Sequence, residues 1–228
     1  MKVFLLLILL LTLHTVAQNS NRNVHKAFDE VIGLKNTALS YGKLFYEKYR
    51  TLDDNNQYFL KNEFVKGDVT YQNQIFYDVH IKYDVADDNL IVNLPSTFEN
   101  RSIILEKYFL EKFTLQNSTF LNLRKEGLHE LLFSSNGITL FKKWVKLKKK
   151  KLNKSFVYYK FIEKNFYSLM LNDHYYEINN KKDIIKIFPN QKKIISSFYK
   201  ANKSLHKKNL DTFYLLLSEK ISSNSINN

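Results

Sequence analysis

The densest chemistry in the sequence is a lysine run, Lys142-Lys143-Trp144-Val145-Lys146-Leu147-Lys148-Lys149-Lys150-Lys151. Ammonium groups at this density attract phosphate and carboxylate and hold them by charge rather than by covalent chemistry. If the run is extended, Lys142, Lys146, Lys148 and Lys150 share one face with Trp144. Lys143, Lys149 and Lys151 then share the other with Phe141, Val145 and Leu147. A strand that is basic on both sides suits contact with an anionic surface. The competing reading is a sheet edge that lysine guards against strand-to-strand aggregation.

Other chemistries find less support. The histidines after the first twenty residues are His25, His80, His129, His174 and His206. None pairs at HxxxH spacing, and with no cysteine in the chain a zinc set is not expected. His80 and His129 fall at alternating strand positions expected to face solvent. Asp84, Asp87 and Asp88 are the densest acidic group, but a calcium loop needs a glycine for its sharp turn and a terminal glutamate, and neither is present. These residues, like Asp53-Asp54, read as solvated turns. No GxSxG, Walker loop or GxGxxG occurs. No catalytic, cofactor-binding or metal-binding residues are therefore expected, and the expected chain is not an enzyme. A second binding chemistry is apolar: Tyr41, Phe45, Tyr71, Phe76, Tyr83, Phe113, Phe120, Phe133, Tyr158 and Phe166 either form the core or line a curved sheet around an apolar ligand.

Composition sets the frame for these residues. Net charge is +13 over 228 residues, with 18 Phe and 15 Tyr against only 5 Gly and 2 Pro, which excludes a disordered or loop-rich chain. The N-terminus has the pattern of a secretory signal: Lys2, an apolar run Val3–Leu13, and Thr15-Val16-Ala17 as a small-residue cleavage site. The run is short for a bilayer span, so residues 1–17 are expected to be removed and no transmembrane segment is expected thereafter. Residues 18–228 are expected to form a single β-rich domain with a helical C-terminus over about 180–221.

The elements that must position the lysines follow from periodicity. Gly67–Leu94 alternates apolar and polar residues through two polar turns, Gln72-Asn73-Gln74 and Asp87-Asp88-Asn89, as half-buried antiparallel strands do. Asp78, His80 and Lys82 are expected on the face away from the core. Further strands are expected over Ile103–Tyr108, Phe113–Leu115, Phe120–Leu123 and Leu128–Phe133. Asn136-Gly137 is a strong hairpin signal into Ile138–Leu147, because both central residues tolerate positive φ. After a turn near Leu152–Ser155, strands follow over Phe156–Ile162, Phe166–Leu171 and Tyr175–Ile178. Val24, Phe28, Val31 and Ile32 recur at helical spacing, which predicts a short helix packed on the sheet by that stripe. Asp183–Phe188 predicts one or two helical turns stopped by Pro189. Asn190 is expected to cap a helix over Gln191–Ala201, and a last helix runs from about Leu210 to Ile221.

Tyr83-Asp84 and Asp88-Asn89-Leu90 within Gly67–Leu94, together with Asp173–Phe198 (DHYYEINNKKDIIKIFPNQKKIISSF), resemble a family of uncharacterised exported proteins from Bacteroidetes. The resemblance implies a Gram-negative envelope setting, in the periplasm or at the outer membrane. It implies no activity, and no functional residue is carried over from it.

The expected fold is α+β, mainly antiparallel β (a sandwich or open barrel-like sheet), with C-terminal helices. The expected function is that of an exported, non-catalytic interaction or assembly module. Its contact residues for an anionic envelope surface or protein partner are Lys142, Lys143, Lys146, Lys148, Lys149, Lys150 and Lys151. Nucleic acid is not the expected partner. The alternative is a periplasmic carrier for a lipid or other apolar ligand.

Overall fold

In a computed structural model of the protein, residues 22–95 and 101–225 are described. The expected signal, residues 1–17, and most of the loop expected at 95–100 lie outside the described residues. The fold is α+β and mainly antiparallel, as its alternating sequence predicts. Two compact units form: one from the residues up to Lys48 with Asn62–Asp84 and Asn89–Asn117, the other from Tyr49–Lys61, Val85–Asp88 and Ser118 onward.

The first unit carries β1 (Gly42–Leu44), β2 (Val65–Tyr71), β3 (Gln74–Asp84), β4 (Asn89–Leu94), β5 (Arg101–Leu105) and β6 (Leu110–Leu115), in the order β1-β5-β4-β3-β2-β6. Gln72 and Asn73 both take positive φ, 52° and 62°, which is what a two-residue β2–β3 hairpin demands. Val69, Tyr71, Phe76, Val79, Ile81, Tyr83 and Phe113 are buried together, so this aromatic set is core. Gly67 stands where a Cβ would lie 2.1 Å from the Thr114 carbonyl oxygen, so no larger residue fits there.

Four expectations fail in this unit. Asp84, read as a solvated turn residue, is 4% exposed at the end of β3, and Tyr41, read with the aromatic core or pocket lining, is 71% exposed. Lys82 does not face solvent: it is buried, donates to Asn62 Oδ1 at 2.9 Å and lies 4.7 Å from the Phe64 ring. Burial pushes its pKa down, against the pull of Glu47 and Asp84. The helix α1 (22–32) does form, but it packs the other way round. Val24, Phe28 and Val31 point outward, Val31 at 87% exposure, while Arg22 and Lys26 face the strands. Arg22 grips both oxygens of Asp68 (2.8 and 3.1 Å) and Asp78 Oδ1 (2.7 Å), and Lys26 holds Asp78 Oδ2 at 2.5 Å. Asp78 sits at φ 53° where the β2–β3 register shifts between Gly67 and Val69, and the bulge turns its carboxylate to the helix. The apolar periodicity forecasts the helix, and the charges on the strands decide which side faces them.

The second unit carries β7 (Ser118–Asn122), β8 (Leu128–Ser135), β9 (Ile138–Lys143), β12 (Phe166–Leu171) and β13 (His174–Ile178) as neighbours in that order. A separate two-stranded sheet is made by β10 (Lys146–Leu152) and β11 (Val157–Glu163). Neither unit's sheet closes into a barrel. Asn136-Gly137 and Asn172-Asp173 make the β8–β9 and β12–β13 turns with positive φ at both central residues.

Helices α2 (Lys181–Ile187), α3 (Lys192–Ala201), α4 (Lys203–Lys208) and α5 (Leu210–Ser225) follow. Asn180 and Asp183 form a capping box that starts α2. Asn190 does not cap α3: Gln191 holds that position and makes no side-chain cap bond, because the Pro189–Gln191 turn leads directly into the helix. Ile184, Ile195, Phe213, Leu217 and Ile221 from the helices bury against Ile138, Leu140, Tyr167 and Leu169 from the strands. Each such side chain contributes about 1.5–3 kcal/mol by leaving water. Among the described residues no helix is long and apolar enough to cross a membrane.

Candidate functional site

The structure divides the lysine run in two. Instead of one strand over Ile138–Leu147, the chain breaks at Trp144-Val145 between β9 and β10. Lys142 ends inside the unit at 3% exposure, its ammonium 2.7 Å from Asp211 Oδ2 and 3.6 Å from the Trp144 ring centroid. Lys142 and Trp144 do share a face, but that face is packed. Tyr167 donates to the other Asp211 oxygen at 2.5 Å, and Trp144 Nε1 donates to Glu130 Oε2 at 2.7 Å. Burial, with the Asp211 carboxylate beside it, drives the Tyr167 hydroxyl far above the ordinary phenol pKa. Lys143 donates to the Glu126 carbonyl. Both residues are therefore structural and drop out of the surface set, because carboxylate and carbonyl acceptors distant in sequence claim them.

Lys146 and Lys148 anchor the hairpin. Lys146 Nζ donates to the carbonyls of Tyr58 (2.6 Å) and Asn56 (3.0 Å). Lys148 donates to the Tyr49 hydroxyl, which itself donates to Asp87 Oδ2 at 2.9 Å. The Tyr49 bond, and then the Asp87 charge, hold the Lys148 ammonium above the usual lysine pKa. The free edge of β11 is closed by Asn55, whose amide pairs both ways with the Phe161 backbone at 2.9 and 2.6 Å, and by the Arg50 carbonyl, which accepts from Tyr159 N–H at 2.8 Å. Tyr49 stacks edge-on against Tyr159 and Phe161. Asp87 is thus a hairpin anchor rather than a solvated turn residue. Asp88 likewise accepts from the Leu128 N–H.

What remains is the exposed part. Lys149, Lys150 and Lys151 are exposed, and among the described residues they form no ion pair or side-chain hydrogen bond. Register adds a fourth lysine that the sequence reading missed: Lys160 of β11 lies directly across from Lys149. Leu147 pairs with Ile162, and Lys151 with Tyr158. Facing residues of antiparallel strands point the same way, so these three pairs make one face. The opposite face carries Phe161, 4% exposed, and the anchoring Lys146 and Lys148. The signal for Lys160 was present, since the turn after Leu152 fixes how Phe156–Ile162 folds back.

A second feature is a cleft of about 320 Å³ lined by Glu126, Lys143, Val145, Phe166, Tyr167 and Tyr175, among others. Behind it lies His129, buried rather than solvent-facing as its strand position implied. Its Nδ1 lies 3.2 Å from the Gly127 carbonyl, so that nitrogen carries the proton and Nε2 accepts from the Tyr175 hydroxyl at 3.1 Å. Burial lowers the imidazole pKa, only partly offset by the Gly127 bond. A neutral histidine whose acceptor is already occupied is a structural group, not a general base. Among the described residues no group of three or more His, Asp or Glu could hold a metal ion.

No protein-family model, no curated protein and no solved structure matches the chain.

Proposed function

We propose that the protein is an exported, non-catalytic interaction module that holds an anionic partner in the cell envelope through the β10–β11 hairpin. The observation carrying this reading is a set of four exposed lysines that form no ion pair among the described residues, on a hairpin anchored by Lys146 and Lys148: Lys149, Lys151 and Lys160 share one face, and Lys150 lies on the other. Lysines that only filled surface would not need to be fixed in rows by an anchored hairpin. Lys149 facing Lys160 costs stability in the free protein, because like charges directly opposite repel. An anion between them removes that cost. Edge protection explains lysines on the outer strand β10, but Lys160 belongs to β11, whose edge is already closed.

Retention on a phosphocellulose column tests this. The K149A/K150A/K151A variant is expected to elute at clearly lower salt than the parent protein, since surface charge attraction is screened over about 10 Å at 0.1 M salt. Co-elution of the two removes the hairpin from the argument. The alternative, a carrier for an apolar ligand, draws on the 320 Å³ cleft walled by Val145, Phe166, Tyr167 and Tyr175, which is near the lower end of ligand-pocket size.

A further inference from the structure

Resting on the hairpin reading above, we propose that the partner is a bilayer bearing phosphate head groups, which seats on the face shared by Leu147, Lys149, Lys151, Tyr158, Lys160 and Ile162. Charge alone does not account for this face. Leu147 is 43% exposed and Ile162 37%, and they lie opposite each other two residues from the facing lysines. A soluble polyanion would engage the lysines and leave the aliphatic side chains in water. A bilayer engages both: ammonium groups stay at the phosphates on their long stems, while leucine and isoleucine pass into the acyl boundary. Lys149 and Lys160 together grip one head-group phosphate, which turns their mutual repulsion into a site. An apolar pair beside a basic row is also how weak single contacts add to stable surface binding.

The test uses the purified protein with vesicles of phosphatidylglycerol and phosphatidylcholine, and with vesicles of phosphatidylcholine alone. Circular dichroism verifies that each variant is folded. The parent is expected to sediment with the phosphatidylglycerol vesicles only. K149A/K151A/K160A is expected to lose vesicle affinity by about a hundredfold, since each lysine near an anionic surface contributes roughly a factor of five. L147S/I162S is expected to lose about tenfold on vesicles while eluting normally from phosphocellulose. Unchanged vesicle binding by L147S/I162S overturns the bilayer, because the face then reads charge only. Normal phosphocellulose retention without vesicle binding also overturns it, yet leaves the anionic-partner reading standing. If polyglutamate retains the protein while vesicles do not, the face belongs to an acidic peptide. Failure of the parent on every anionic support sinks both readings.

Discussion

Lys149 and Lys160 face each other across the β10–β11 pair, on the side of the hairpin turned away from Tyr49 and Phe161. Stability and binding should therefore respond to this pair with opposite signs. Lys160→Glu converts a repulsion into an attraction, and cross-strand pairs of this kind contribute about 0.2–1 kcal/mol. Urea unfolding is expected to shift upward by about that amount while retention on an anionic support falls. A variant that weakens both would mean that Lys160 is needed for folding, and would remove it from the binding face.

Lys142 and Asp211 form an asymmetric pair, since the lysine side chain is 4% exposed and the carboxylate 45%. Removing the carboxylate strands a buried ammonium and leaves the Tyr167 hydroxyl without its acceptor. Removing the lysine leaves a carboxylate that water still reaches. Asp211→Ala is expected to cost about 3 kcal/mol and Lys142→Met about 1 kcal/mol or less, as chemical denaturation would read. Neither variant that remains folded should alter retention on phosphocellulose. Equal costs would mean that the lysine is less desolvated than its exposure implies.

These residues also mark how far sequence reasoning reaches. Turns are written locally: Gln72-Asn73, Asn136-Gly137 and Asn172-Asp173 all take the positive φ their residue types permit. Strands between such turns have their register fixed, so the Lys149–Lys160 pairing follows from the turn after Leu152. Lys142 is different, because its acceptor lies 69 residues away on α5 and alternation carries no trace of it. The same holds for His129 and Lys82, whose burial is decided by the segments that cover their face. The carboxylates of Asp68 and Asp78 reversed the expected orientation of α1, a choice that apolar periodicity alone does not encode.

His129 sets a pH dependence in the second unit. Its folded pKa lies below the ordinary imidazole value of about 6.5, chiefly through burial, with the Lys143 charge acting the same way and Asp88 and Glu126 opposing. The unfolded chain then binds a proton before the folded one does. Stability from this group is complete above about pH 6.5 and declines as pH falls toward the folded pKa. Denaturant midpoints measured from pH 7.5 to 5 should fall in the parent and fall less in His129→Gln. An identical slope in both would assign the pH dependence to carboxylates instead.

Asp78 works in a more acidic window. The Lys26 hydrogen bond, and then Arg22, hold its pKa below the ordinary aspartate value, while Asp68 chiefly raises that of Arg22. A depressed carboxylate contributes stability above about pH 4 and loses it as pH falls through its folded pKa. The side chains are about a third exposed, so the contribution is modest, on the order of 1 kcal/mol after screening. Its effect should still be visible locally, because Val24, Phe28 and Val31 point outward and give α1 little apolar attachment. Arg22→Gln, or acid alone, is expected to raise hydrogen exchange across 22–32 while leaving β3 and β4 protected. Salt at 1 M should act in the same direction, since the Debye length then shrinks to about 3 Å. If the amides of 22–32 remain protected in Arg22→Gln, the half-buried Ile32 and the Asp29 backbone turn into Gly33 hold the helix, and the charge clamp only orients it.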